Sequence, residues 1–132
     1  MASARMSERS LPSLSRLLLR VLSALLTICL LIQFFIAGMA AMTDPQWWVT
    51  HGKWVNIFQW LVIPLPIFAW LGGSPRVRRT GFACIPPLQI ALQYVLAHRA
   101  IDGRLAIGLG LHALDAALLL LIAAGLAAGA FD

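Results

Sequence analysis

The fold class this sequence predicts is all-α: an integral membrane four-helix bundle. Three observations predict it. Hydrophobic residues make up 61% of the 132 and charged ones 11%, against roughly 45–50% and about 25% in soluble domains. Mean hydropathy is +0.86, and the apolar residues gather into four stretches, each near the roughly 20 residues a helix needs to cross hydrocarbon. No stretch alternates apolar and polar residues with the period of a strand, so no sheet is expected. The spans use nearly all the length. Residues 1–16 remain as a polar, cytoplasmic N-terminal segment, and 17–132 form the transmembrane domain.

The first 16 residues are serine-rich and basic, and are expected to fray or lie on the membrane surface. The first span runs from Leu17 to Met42, with Arg20 snorkelling at its start. A signal peptide is the competing reading, since a basic lead and the small residues Ala37 to Ala41 fit one. The apolar run, however, outlasts a usual signal core of about 7–15 residues and continues past Gln33. Asp44 and Pro45 then begin the second span, Asp44 as a cap and Pro45 at the first helical position. That span runs from Gln46 to Leu71. Trp47, Trp48 and Trp54 bracket His51 and Lys53, as expected where a helix crosses the headgroups. Pro64 and Pro66 should bend it, because each removes an intrahelical hydrogen bond. Gly72-Gly73-Ser74-Pro75 ends it, and Arg76, Arg78 and Arg79 form a basic loop. The third span covers Thr80 to Ala97, followed by a polar turn from His98 to Arg104. The fourth covers Leu105 to Ala130, dense in alanine and glycine; Gly125 and Gly129 form a small-xxx-small packing pattern.

A net charge of +5 points to nucleic acid in a soluble protein, but here the basic residues flank apolar runs. Arg5, Arg9, Arg16, Arg20, Arg76, Arg78 and Arg79 lie on the side holding the N-terminus and second loop. Lys53, Arg99 and Arg104 lie opposite. The positive-inside rule puts both termini in the cytoplasm. The expected surroundings are therefore the lipid bilayer, with no nucleic acid. Cys29 and Cys84 sit among apolar neighbours without CxxC spacing, and read as free thiols packing as small hydrophobes.

The candidate site comes from an internal likeness. Gln33-Phe34-Phe35-Ile36-Ala37-Gly38 aligns with Gln93-Tyr94-Val95-Leu96-Ala97-His98. His51 follows Gln33 by 18 positions and His112 follows Gln93 by 19. The chain thus reads as two parallel-repeat hairpins about an axis along the membrane normal. Both histidines then fall at similar depth and face each other across the bundle. Two facing imidazoles in an apolar bundle are what a haem iron needs, so His51 and His112 are the candidate metal ligands. Lys53, Arg99 and Arg104 are placed to meet haem propionates. The alternative for His51 is an interfacial residue among tryptophans; His98, beside Arg99 at a helix mouth, is read as satisfied by solvent and headgroups.

Other polar residues within spans need a reason, since an Asp at mid-helix costs about 2.5–3.5 kcal/mol on insertion scales. Asp115 shares a helix face with His112, one turn deeper. It either helps a ligand or proton at that site, or bonds across helices as packing glue. Gly108, one turn the other way, admits either a flat ring or a neighbouring helix. Gln33, Gln89 and Gln93 are expected to bond across helices, with Tyr94 and His98 forming a second stripe on the third span.

Gln33 to Gly38, His51-Gly52, and His112-Ala113-Leu114-Asp115-Ala116 together resemble the DUF6220 family of small, functionally uncharacterised bacterial four-span membrane proteins. The family pattern reads roughly Q-F-F-x-A-G, H-x-x-x-G and H-P-x-N-A. Ala113 stands here in place of Pro, Asp115 in place of Asn, and the glycine after His51 is spaced differently. The resemblance implies a four-helix fold in the inner (plasma) membrane and no settled activity. No phosphate loop, Ser-His-Asp set, HExxH or CxxC motif is present, which sets aside hydrolase and nucleotide-enzyme chemistry. Three classes remain. They are a haem b-binding electron-transfer or redox subunit with bis-histidine ligation, a non-catalytic assembly subunit binding partner helices or a second copy, and a proton path through Asp115. The last is disfavoured by the scarcity of interior charges. A membrane redox partner accompanies the first.

Overall fold

The computed structural model describes residues 2–132, with side chains from residue 11 onward, and among these the chain is helical throughout. Helix α1 spans Ala2–Met42, α2 Trp47–Phe58, α3 Leu65–Leu71, α4 Arg76–Ile101 and α5 Gly108–Ala128, with a 3-10 turn at Gln59–Val62. Four stretches are long and apolar enough to cross a membrane: Leu11–Met42, Trp47–Leu71, Arg76–Ile101 and Gly108–Ala128. α1 runs straight through the expected boundary at residue 16. From Leu11 on it is docked and not frayed: Ser15 is buried, and Arg16 donates to the Gly72 carbonyl at 3.0 Å.

Proline chemistry shapes the second span. Pro64 and Pro66 cannot donate to the carbonyls of Trp60 and Val62, and their rings crowd those carbonyls. The chain tightens to 3-10 geometry over Gln59–Val62, where Ile63 N–H reaches the Trp60 carbonyl at 3.3 Å. α-Helix resumes at Leu65 with Pro66 inside its first turn, where no donor is needed. α2 starts at Trp47, two residues later than Pro45, with Gln46 as its N-cap and no side-chain cap; Asp44 Oδ1 accepts from the Gln46 N–H at 2.8 Å in the turn before it. The other boundaries move outward for α4, because Arg76 to Arg79 are not a loop but its first turn.

The spans pack as a ring. α1 lies against α2 and α3 on one side and α5 on the other, and α4 lies against α3 and α5. The second and fourth spans are therefore diagonal. Leu26, Leu30, Leu65, Ala69, Ala83, Leu119 and Ala123 fill the middle. α4 and α5 approach closely at Gly108, where a Cβ would come within 2.8 Å of Ala100 Cβ and 3.0 Å of the Leu96 carbonyl.

The two ends of the bundle differ. At the arginine end, Arg79 is only 1% exposed. Its guanidinium donates to the Ala69 carbonyl at 3.1 Å, to the Gly73 carbonyl, and to Asp132 Oδ1 at 3.2 Å. Arg20 reaches Asp132 Oδ2 at 2.5 Å, and Arg78 donates to the Ala130 carbonyl at 3.1 Å. Asp132 arrives there because α5 ends in a Schellman motif. Gly129 is left-handed (φ 72°), with Ala130 N–H on Gly125 O at 2.9 Å and Gly129 N–H on Leu126 O at 3.2 Å. Phe131 then folds back over Gly125 and stacks on Phe82 at 3.8 Å. Gly125 and Gly129 thus serve the cap, not the helix-packing stripe expected of them.

Burial raises the Asp132 carboxyl, but hydrogen bonds from Arg20 and Arg79 outweigh it and hold the group below its ordinary value. A depressed carboxylate contributes stability above its unfolded value and loses it as pH falls through the folded one. The melting temperature of detergent-solubilised protein should therefore be flat from neutral pH down to the usual Asp range, then fall below it. Asp132→Asn should remove that acid limb. Arg79→Lys should melt earlier at neutral pH, because one ammonium cannot replace the fork that reaches three partners. An Arg79→Lys melting temperature equal to wild type would contradict this account.

Candidate functional site

The histidine end carries the polar residues of the site. Two amides clamp it. On α1, Gln33 Nε2 donates to the backbone carbonyl of His51 on α2 at 3.2 Å. On α4, Gln93 Nε2 donates to the backbone carbonyl of His112 on α5 at 2.9 Å. The same atom of the aligned glutamine thus holds the same atom of the aligned histidine in each hairpin. The likeness extends one turn deeper. Trp54, one turn after His51, bonds the Cys29 carbonyl one turn before Gln33, at 3.0 Å. Asp115, one turn after His112, bonds Gln89 one turn before Gln93. The two hairpins thus share their interhelical bonding pattern at the histidine turn.

His51 and His112 face each other from diagonal helices, their ring centres 6.4 Å apart and their planes tilted by 51°. Both are half-buried. His112 Nδ1 lies 3.2 Å from the Gln93 carbonyl. A carbonyl only accepts, so Nδ1 carries the proton and Nε2 of the neutral ring keeps its lone pair free. His51 stands edge-on to Trp48 at 5.3 Å, and its Nδ1 is buried without a hydrogen-bond partner. The unpaired Gln33 Oε1 is buried in the same hairpin. An imidazole nitrogen left so is costly without a ligand or water.

Asp115 is buried and taken up by α4. Gln89 Nε2 donates to its Oδ1 at 3.1 Å and Gln93 Nε2 to its Oδ2 at 2.7 Å. Both of its carboxylate oxygens are thus bonded across the helix pair. Gly108 packs against α4, where a Cβ would meet Ala100 and the Leu96 carbonyl. Lys53, Arg99 and Arg104 are exposed at the histidine end. His98 is exposed, with Nδ1 donating to the Tyr94 carbonyl at 2.7 Å. Sequence reading did not foresee the clamp on the histidine carbonyls. Its signal was present in the near-equal spacing of Gln33 to His51 and Gln93 to His112.

Among the described residues no group of three or more His, Cys, Asp or Glu converges to hold a metal ion. Cys29 and Cys84 are free. The donor set at this end is two imidazoles. That suits a ligand which brings most of its own coordination, and not a bare ion that needs four or more protein ligands.

Fold and site together define an all-helical, four-span membrane protein built from two like hairpins with a histidine pair between them. Residues 33–101, just over half of the chain, match the family of unknown function DUF6220, and the chain belongs to that family. The match takes in Gln33, His51 and Gln93 and stops short of His112 and Asp115. No curated protein and no solved structure matches the chain.

Gln93 bonds two partners on α5, whereas Gln33 bonds one on α2. Gln93→Leu should therefore destabilise the fold by about 2–3 kcal/mol and Gln33→Leu by about 1 kcal/mol. Asp115→Asn should be milder than Gln93→Leu, since an amide oxygen still accepts from Gln89. Chemical unfolding in mixed micelles gives the order, and equal losses for the two glutamines would count against the clamp.

Proposed function

We propose that this chain is a haem b-binding redox subunit in which the imidazoles of His51 and His112 would hold the iron. The observation that carries the reading is the 6.4 Å between their ring centres. A metal bonded to two opposed imidazole nitrogens at about 2 Å each sets the ring centres roughly 6 Å apart. The orphaned His51 Nδ1 and the His112 ring oriented by the Gln93 carbonyl support it. In metal–histidine sites the second ring nitrogen commonly donates to a carbonyl, fixing the tautomer. The exposed Lys53, Arg99 and Arg104 would meet the propionates. Gln33 and Gln93 would hold the two histidine-bearing turns at their spacing. Haem, when bound, would supply one-electron chemistry; the chain would supply two imidazole nitrogens, an apolar bundle and a basic rim.

Spectra test this. The reduced-minus-oxidised difference should be present in wild type and His98→Ala, and absent in His51→Ala and His112→Ala. Wild type purified without haem from haem-replete cells would sink the reading, and would favour an assembly subunit that binds partner helices.

We also infer that the arginine end, which carries α1's start and the chain end, faces the cytoplasm of the inner membrane. Seven basic residues flank that end against three at the other. Tags at both termini should be reachable only after the membrane is permeabilised from the cytoplasmic side. A tag labelled from outside intact cells would reverse the orientation.

A further inference from the structure

Val77, Gly81 and Ile85 stand four residues apart on α4, and so follow one another down a single face of the helix. The face looks out of the bundle: Val77 is 81% exposed, and Gly81 is exposed as well. A Cβ built at Gly81 meets nothing within 4 Å, so this glycine does not serve helix packing within the chain. It opens a notch in the face, a groove of about 260 Å³ lined by Val77, Arg78, Gly81, Phe82 and Ile85. Phe82, stacked on Phe131 at 3.8 Å, gives the groove a firm wall. From Arg78 to Ile85 it descends about 10 Å into the span, and its lining side chains are apolar except at the top.

Arg78 is that exception. Its guanidinium is exposed and donates to the Ala130 carbonyl at 3.1 Å. That bond steadies it over the mouth of the groove and leaves its other N–H donors open to a ligand. The charge around it is unbalanced. Asp132 is the one acidic side chain at this end among the described residues, and Arg20 and Arg79 take it up. Arg16 bonds the Gly72 carbonyl, and Arg76 lies over the Trp70 ring at 5.3 Å. Arg16, Arg76 and Arg78 thus pair with no carboxylate among the described residues. A groove shaped for a hydrocarbon chain, with a guanidinium held above it in a field of positive charge, complements a lipid with a negative head group.

We propose that this groove binds one anionic phospholipid, with an acyl chain over Gly81 between Val77 and Ile85 and the phosphate accepting from Arg78. A zwitterionic lipid fits the same groove less well, because its ammonium sits among guanidiniums. The site lies on the outside of the bundle, at the opposite end from the histidine pair, and stands whether or not haem is bound.

The test compares how strongly the full chain, in phosphatidylcholine vesicles, retains spin-labelled phosphatidylglycerol and spin-labelled phosphatidylcholine at its surface. Wild type should prefer phosphatidylglycerol roughly fivefold. Arg78→Gln should abolish most of that preference. Gly81→Leu should abolish it too, by filling the groove while every charge stays in place. Arg76→Gln, outside the groove, should leave most of it, and excess inorganic phosphate should not displace the lipid. A wild type without preference overturns the proposal, as does displacement by inorganic phosphate. So does a preference that Gly81→Leu leaves intact, or that Arg76→Gln lowers as far as Arg78→Gln, since diffuse surface charge then accounts for it.

Discussion

Arg79 sits where α3, α4 and the residues after α5 converge, and its guanidinium is almost wholly out of solvent. A buried charge is tolerated only when its donors are filled and an opposite charge lies close. Here two carbonyls from the α3 terminus and one carboxylate meet that demand. The demand then organises the neighbourhood. Gly72 has no side chain, since a Cβ would press on the guanidinium at 3.0 Å. Gly129 turns the chain left-handed so that Phe131 and Asp132 come back to the bundle. The short α3, left by the prolines, presents its last carbonyls inward instead of to water. A residue that reads in the sequence as a topology marker is the knot of one end of the molecule.

The other end is organised by a weaker device used twice. An amide from the first helix of each hairpin holds the carbonyl of a histidine on the second, and helices crossing hydrocarbon gain association chiefly from such bonds and close packing. The halves then diverge one turn deeper. The first fills the position with Trp54 on a backbone carbonyl; the second uses Asp115 between two glutamines. One half gains apolar bulk and the other a polar network, while the shared clamp keeps both histidines at one depth. The halves diverge again further along, where the prolines break the second span while α5 runs unbroken.

Much of the fold was legible because the bilayer imposes a simple code. Apolar length located all four spans, and Pro64 and Pro66 acted where backbone chemistry said they would. The spacing of Gln33 to His51 and Gln93 to His112 was enough to bring two rings on diagonal helices together. What escaped depended on tertiary partners. Arg79 is one of three neighbouring arginines, and nothing local says that it turns inward while Arg78 turns out. The cap at Gly129 looked like packing because Gly125 and Gly129 are spaced for it, yet the fold-back of Phe131 decides their use. Gly108 is ambiguous by nature: a missing side chain makes room for a cofactor or a helix equally well, and α4 comes close to it at Ala100.

Between the polar layers at the two ends lies a band built from Leu26, Leu30, Leu65, Ala69, Leu119 and Ala123. Its electrical consequence is distinct from its packing one. A membrane potential acts on charge at about 2.3 kcal/mol per elementary charge per 100 mV, and it drops mainly where the dielectric constant is low. In this chain that is the leucine band. Ions and water moving from the histidine layer toward the arginine layer would meet a mainly aliphatic band, in which the buried Ser23 and Thr27 are among the few polar side chains. The bundle in that sense sets a low-dielectric layer between two polar ends, and a charge placed at the ring pair lies to one side of that layer.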